Sequence, residues 1–281
     1  MAASELPLAL DWAAAEGWNP GLQDADSFVA ADPQGFLLGL RGGEPIGCIS
    51  AVRYGDNFGF LGFYIVRPLW RGRGHGRQLS NAALERLEGR TIGLDGVVAQ
   101  QANYRASGFQ FVFLSLRHQG PVAAAGPRDG EAGAVHGDGI VALASRPLQE
   151  LLAYDAPFSP SGRAAFLSAW LRQSGSQALG LVRCGVLAGY GVVRPCREGF
   201  KIGPLFADDP EAAEHLFRAL RAQVPSPGPL ILDTPVPNGA ALALAAAHGL
   251  FPVSETARMV RGPAPALPLE RLFGLTSFEL G

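Results

Sequence analysis

Arginine and glycine alternate in the segment Arg71-Gly72-Arg73-Gly74-His75-Gly76-Arg77. An apolar, β-rich run (58–66) precedes it, and apolar residues at helical spacing follow it. A strand that breaks into a short glycine loop and continues as a helix presents backbone N–H groups at a helix start, where an anion is stabilised. The segment therefore predicts a site for a phosphate-carrying molecule.

The glycine spacing distinguishes this loop from two other phosphate-binding loops. A dinucleotide-binding turn needs G-x-G-x-x-G, and Arg77 stands where the third glycine should be. A Walker loop needs a Gly-Lys pair, which the sequence lacks. The pattern that remains is Arg71-x-x-Gly74-x-Gly76.

A second motif lies further along the chain, in Asn103-Tyr104-Arg105-Ala106-Ser107-Gly108-Phe109. Glycine at this point is typical of a helix C-terminus that needs positive φ. Phe109, Phe111 and Phe113 then alternate as in a strand. We therefore predict a short helix that carries Tyr104 and is followed by another strand.

These two motifs, in this order, resemble the GNAT superfamily of N-acetyltransferases over about residues 5–118. The resemblance implies acetyl-CoA as co-substrate and no metal, with Tyr104 near the cofactor sulfur as the acid that protonates the departing thiolate. It implies backbone contacts of residues 64–66 with the pantetheine arm, and of the glycine loop with the pyrophosphate. The implied cofactor-binding residues are Tyr64, Ile65, Val66, Arg71, Gly72, Arg73, Gly74, His75, Gly76, Arg77 and Asn103.

Direct attack on a thioester requires a neutral amine, because an ammonium has no lone pair, and this implies a base. Asp56 and Asp95 are candidates, as is the hydroxyl of Tyr64 acting through water. Asp56 lies beside Gly55 and also fits a turn residue, whereas Asp95 is predicted in a strand that can face the cleft. The sequence does not decide among them.

Composition sets wider limits. The 281 residues suffice for two domains, and 48% hydrophobic against 17% charged residues provide a core for each. A net charge of −2 gives no general attraction to nucleic acid or to an anionic membrane. Three cysteines without metal-ligand spacing, and a start without a signal-peptide pattern, lead us to expect a cytoplasmic protein.

The second half repeats the predicted order of elements in the first. The fold class is therefore α/β (α+β), with two GNAT-like domains, each a mixed, mostly antiparallel twisted sheet flanked by helices. We place a catalytic domain at 1–120, a linker rich in glycine, alanine and proline at 121–138, a degenerate GNAT-like domain at 139–262 and a C-terminal tail at 263–281.

The second domain departs from the pattern where chemistry would need it. Asp208 and Asp209 stand where the phosphate loop should be, and Ala245 stands where the tyrosine should be. Carboxylates beside a pyrophosphate would repel it. We expect this domain to complete or shield the acceptor cleft, or to form a homodimer contact.

The resulting hypothesis is an N-acetyltransferase that acts on a primary amine of a small metabolite. Two alternatives stay open: a non-catalytic acyl-CoA sensor or scaffold, and a transferase acting on protein lysines or N-termini.

Overall fold

A computed structural model describes residues 1–122, 139–225 and 228–281. The predicted linker lies almost wholly outside these residues. The first half contains α1 (Leu6–Ala15), α2 (Asp24–Ala31), β1 (Phe36–Arg41), β2 (Glu44–Tyr54), β3 (Phe58–Val66), α3 (His75–Arg86), β4 (Thr91–Val97), α4 (Gln101–Ala106) and β5 (Gln110–Pro121). This is the predicted order.

The second half repeats that order between an additional first strand and an additional last strand. It contains β6 (Gly139–Ala142), α5 (Leu148–Asp155), α6 (Ala164–Trp170), β7 (Gln177–Arg183), β8 (Val186–Pro195), β9 (Phe200–Ala207), α7 (Pro210–Arg221), β10 (Pro229–Pro235), α8 (Gly239–Ala247), β11 (Phe251–Arg261) and β12 (Leu272–Gly274). The predicted α/β class with GNAT-like sheets is confirmed.

Among the described residues the strands form one sheet, in the order β1-β2-β3-β4-β11-β5-β10-β9-β8-β7-β6, with β12 paired to β9. Strand β11 of the second half lies between β4 and β5 of the first, and β5 pairs with β10 of the second half. The halves thus exchange strands. Each half depends on the other to complete its sheet, so the domain boundaries drawn from the sequence remain a prediction.

The helices of the first half cover both faces of its strands. On one face α3 packs its buried Leu79 and Ala83 against the sheet, together with Leu87 at its C-cap, and Tyr104 of α4 lies at the margin. On the other face α1 and α2 enclose an aromatic core that also receives Trp170 of α6. No helix in the described ranges is long and apolar enough to span a membrane.

The segment after β11, for which the sequence predicted no element, is largely buried from β12 onwards. Leu272, Phe273, Leu275 and Leu280 are each at most 4% exposed. The hydroxyl of Tyr54 in β2 donates to the carbonyl of Leu280 at 3.0 Å. The segment therefore joins the core of the second half to that of the first.

Candidate active site

A gap opens between β3 and β4. The two strands pair in parallel only from Phe58↔Thr91 to Leu61↔Leu94. Phe63 has φ +47°, a conformation rare for a bulky residue, and it buries its ring against Phe28 with centroids 5.6 Å apart. This residue marks a bulge, because Leu61 faces α3 before it and Tyr64 faces α3 after it. Residues 62–66 and 95–97 therefore border a wedge-shaped gap.

The glycine loop lies at the outer end of this gap. Gly72 and Gly74 have φ of +74° and +82°, which a residue with a Cβ would adopt only with strain. Gly74 is the N-cap of α3, and it offers no side chain to bond the first N–H groups of the helix. The start of α3 can thus receive an anion from outside, as the sequence predicted.

The arginines near the loop differ in what they can do. Arg71 donates from Nε to the carbonyl of Val66 at 2.8 Å and forms an ion pair with Glu16 of the first half's α1–α2 region. Arg73 lies over the ring of Trp70 at 5.3 Å, and both Arg73 and Arg77 are exposed. Arg71 therefore anchors the loop, while Arg73 and Arg77 remain the exposed positive charges beside the helix start.

The ring of His75 points away from the glycine loop. Its ring packs on Trp70 with centroids 5.8 Å apart, and it lines a separate surface groove of about 540 Å³ between β1 and α3. Only the backbone of His75, at the first position of α3, contributes to the loop.

Two tyrosines occupy the space that two glycines leave open. A Cβ at Gly76 would lie 2.8 Å from the hydroxyl of Tyr64, and a Cβ at Gly96 in β4 would overlap the ring of Tyr104. Burial raises the pKa of Tyr104 to about 12, with a further contribution from Tyr64, and burial also raises the pKa of Tyr64. Both phenols are therefore protonated at neutral pH.

Asp95 lies on β4 just beyond the last pair with β3. Its side chain is fully buried, and its two oxygens accept from Nε and Nη2 of Arg258 at 2.8 and 2.7 Å. Burial raises the pKa of this carboxyl, and the guanidinium opposes the rise. Arg258 comes from β11 of the second half, and the sequence analysis missed it because no local pattern reveals an exchanged strand.

Two other predicted residues lie elsewhere. Asp56 lies in the exposed turn before β3, six residues and thus roughly 20 Å along the strand from Gly62. The structure does not bring it to the gap. Asn103 lies on the exposed side of α4, where its amide donates to the side chain of Gln100 at 2.6 Å.

Strands of both halves hold the loop between α1 and α2. Arg117 of β5 forms a two-bond ion pair with Asp233 of β10, at 2.8 Å for each bond, and also donates to the carbonyl of Trp18 at 2.7 Å. Lys201 of β9 donates to the carbonyl of Asn19 at 3.1 Å, and burial lowers its pKa. These contacts tie the loop to β5 of the first half and to β9 of the second half.

The corresponding gap of the second half, between β9 and β10, is occupied. Strands β9 and β10 pair in parallel only as far as Ile202↔Leu232. Beyond that point β12 pairs with β9, and the N–H of Leu275 donates to the carbonyl of Asp233 on β10 at 2.8 Å. No described strand enters the gap between β3 and β4 in this way.

The helix start of the second half is also occupied. Asp209 is the N-cap of α7, and its carboxylate accepts from the N–H of Ala212 at 2.8 Å. This hydrogen bond, in the main, lowers the pKa of Asp209. A carboxylate thus occupies the position that Gly74 leaves open at α3.

Comparison with known proteins agrees with this architecture. The model of the Acetyltransferase (GNAT) family matches residues 6–109, and that of the Acetyltransferase (GNAT) domain matches residues 151–274. A protein of Pseudoalteromonas sp. (strain SANK 73390) named holothin acyltransferase is 30% identical over 271 residues, covering 96% of this chain and 90% of that protein. The chain belongs to the GNAT family of acetyltransferases. It is an acyltransferase with two GNAT domains.

Solved structures show the same fold. A candidate acetyltransferase of Pyrococcus horikoshii has a TM-score of 0.82 at 21% identity, covering 100% of this chain and 94% of its own. A tandem GNAT protein from the clavulanic acid biosynthesis pathway has a TM-score of 0.62 at 18% identity, covering 94% and 98%. At these identities the likeness concerns the fold alone.

Proposed function

We propose that this GNAT protein transfers an acetyl group from acetyl-CoA to a primary amine of a small metabolite, at one site in the gap between β3 and β4. One contrast carries the proposal. In the first half, no strand of the described residues occupies the gap, and Gly74 gives the start of α3 no side-chain cap. In the second half, β12 lies in the corresponding gap and Asp209 caps α7.

The residues at the gap fit this co-substrate. The N–H groups at the start of α3 would hold the pyrophosphate, with Arg73 and Arg77 adding positive charge. The backbone of residues 62–66, which leaves β4 after Leu61, would bind the pantetheine arm as an added strand. When bound, the thioester supplies an activated acyl group.

Tyr104 is the residue that we assign to proton transfer. Its hydroxyl remains protonated at neutral pH because burial raises its pKa to about 12. It can therefore donate a proton to a departing thiolate. Both carboxylate oxygens of Asp95 accept hydrogen bonds from Arg258. We therefore assign Asp95 a structural role in shaping the site and not the role of general base.

One relative supports the choice of a small acceptor. The protein that shares 30% of its residues with this chain is named for the acylation of holothin. In addition, Arg117 and Lys201 donate hydrogen bonds to the carbonyls of Trp18 and Asn19, and these bonds hold the loop in place.

Replacing Tyr104 by phenylalanine tests the assignment. We expect kcat to fall by about 100-fold or more, the usual contribution of a positioned acid, while the Kd of acetyl-CoA changes by less than about threefold. The measurement is thiol release from acetyl-CoA with a panel of small amines. Because the pKa is near 12, loss of the Tyr104 proton should not reduce kcat of the unchanged protein between neutral pH and about pH 10.

The matched control is Tyr154→Phe. That hydroxyl lies in the second half and donates to Asp208 at 2.9 Å. It should leave kcat unchanged. An unchanged kcat in Tyr104→Phe would remove the tyrosine from the mechanism, and binding without turnover on any amine would favour a sensor.

A further inference from the structure

We propose that the ion pair between Asp95 and Arg258 forms the wall at the deep end of the gap and restricts the donor to short acyl thioesters. The inference rests on the proposed function, because it requires a thioester arm in the gap between β3 and β4. It gives the second half a direct part in donor selection, since Arg258 belongs to β11.

The direction of the arm follows from the two ends of the gap. The anion site at residues 72–76 lies after the end of β3, and β3 runs back from Val66 to Gly62 over roughly 13 Å. If the glycine loop holds the phosphate end of the pantetheine arm, the thioester at the other end of the arm lies where β3 and β4 separate. Asp95 is the first residue of β4 beyond the last pair there, Leu61↔Leu94.

The ion pair makes a rigid wall at that place. The side chain of Asp95 is 0% exposed and that of Arg258 is 10% exposed, so both are packed tightly among their neighbours. The guanidinium lies 5.2 Å from the ring centre of Phe60 and 5.6 Å from that of Phe113. Two hydrogen bonds and two rings together fix its orientation.

The C-terminal segment closes the neighbouring side. A Cβ at Gly62 would overlap the carbonyl of Glu279, and a Cβ at Gly281 would lie 2.9 Å from the ring of Phe60. Phe60 is itself 1% exposed. An acetyl group needs little room beyond the sulfur, whereas a longer chain would meet the ion pair, Phe60 or the backbone of Glu279. The donor class is therefore a short acyl thioester.

The experiment compares the binding of CoA, acetyl-CoA, butyryl-CoA and hexanoyl-CoA to the full chain by calorimetry. For the unchanged protein we expect hexanoyl-CoA to bind at least about tenfold more weakly than acetyl-CoA, as for a pocket that excludes extra methylenes. The double variant Asp95→Ala with Arg258→Ala removes the wall, and its preference for acetyl-CoA should fall to about threefold or less.

A second double variant separates bulk from charge. Asp95→Leu with Arg258→Met keeps an apolar wall of similar volume, and a buried ion pair is often replaced this way without loss of the fold. It should keep the preference of the unchanged protein. If it loses the preference, charge instead of bulk selects the donor and the proposal is wrong.

The chain-length series on the unchanged protein decides the proposal even if the alanine variant does not fold. If hexanoyl-CoA binds as tightly as acetyl-CoA, the ion pair does not limit the length of the acyl chain, and the proposed acetyl-CoA site still stands. Failure of both CoA and acetyl-CoA to bind would instead overturn the proposed function.

Discussion

Removal of residues 272–281 should abolish the stable native state. Four apolar side chains in this segment, Leu272, Phe273, Leu275 and Leu280, are at most 4% exposed. At about 1.5–3 kcal/mol for each buried side chain, their loss amounts to roughly 6–12 kcal/mol. The free energy of unfolding of a whole domain is about 5–15 kcal/mol. The measurement is unfolding in urea, followed by circular dichroism.

Two single substitutions measure how much this segment contributes to the free energy of unfolding. Phe273 is 0% exposed and packs in the core of the second half, whereas Phe251 on β11 is 66% exposed. We expect Phe273→Ala to reduce the free energy of unfolding by about 3–5 kcal/mol and Phe251→Ala to change it by less than about 0.5 kcal/mol. Equal effects of the two, or a shortened chain that unfolds at the same urea concentration, would show that the segment is not part of the core.

Replacing Gly76 by valine should abolish the binding of acetyl-CoA, with an increase in Kd of at least about 100-fold. A Cβ at this position lies 2.8 Å from the hydroxyl of Tyr64, so the tyrosine has to move away from α3. The branched side chain also stands beside the N–H groups that would hold the pyrophosphate. The fold should be little affected, because the atom displaced is the end of a flexible side chain.

The matched control is Gly239→Val. Gly239 also lies at the start of a helix, α8, and nothing stands within 4 Å of a Cβ there. Calorimetry with acetyl-CoA should give the same Kd for this variant as for the unchanged protein. Acetyl-CoA binding by Gly76→Val within about threefold of the unchanged protein would argue against a cofactor path past Tyr64.

Local patterns predicted the local structure well. The aromatic and glycine run at 58–66 is β3 with the same bounds, and the helix that follows the glycine loop is α3. Strand propensity, positive-φ glycines and helical spacing all act over a few residues, so one sequence is enough to read them. The glycine loop and Tyr104 belong to this class of signal.

Long-range pairing could not be predicted. Asp95 and Arg258 are separated by 163 positions, and only the exchange of β5 and β11 makes them neighbours. Asp24 is the first residue of α2, and its carboxylate accepts from Arg194 of β8 at 2.9 Å. Arg163 and Asp155 pair with each other in the core. Such contacts depend on which strands the fold brings together, and residue spacing carries no record of that.

The position of β12 in the gap between β9 and β10 is another long-range feature that the sequence did not predict. The sequence predicted a degenerate second domain from Asp208, Asp209 and Ala245, which are local departures from the motif. The strand that fills the gap lies more than sixty positions after β9 along the chain, in a segment with no recognisable strand pattern of its own.

Calorimetric titration of acetyl-CoA into the unchanged protein tests the central proposal most directly. One open gap and one filled gap predict a single acetyl-CoA bound per chain. Two equivalent molecules per chain would contradict the contrast between the halves, and no binding at millimolar acetyl-CoA, roughly the weakest affinity expected for such a co-substrate, would contradict the site itself.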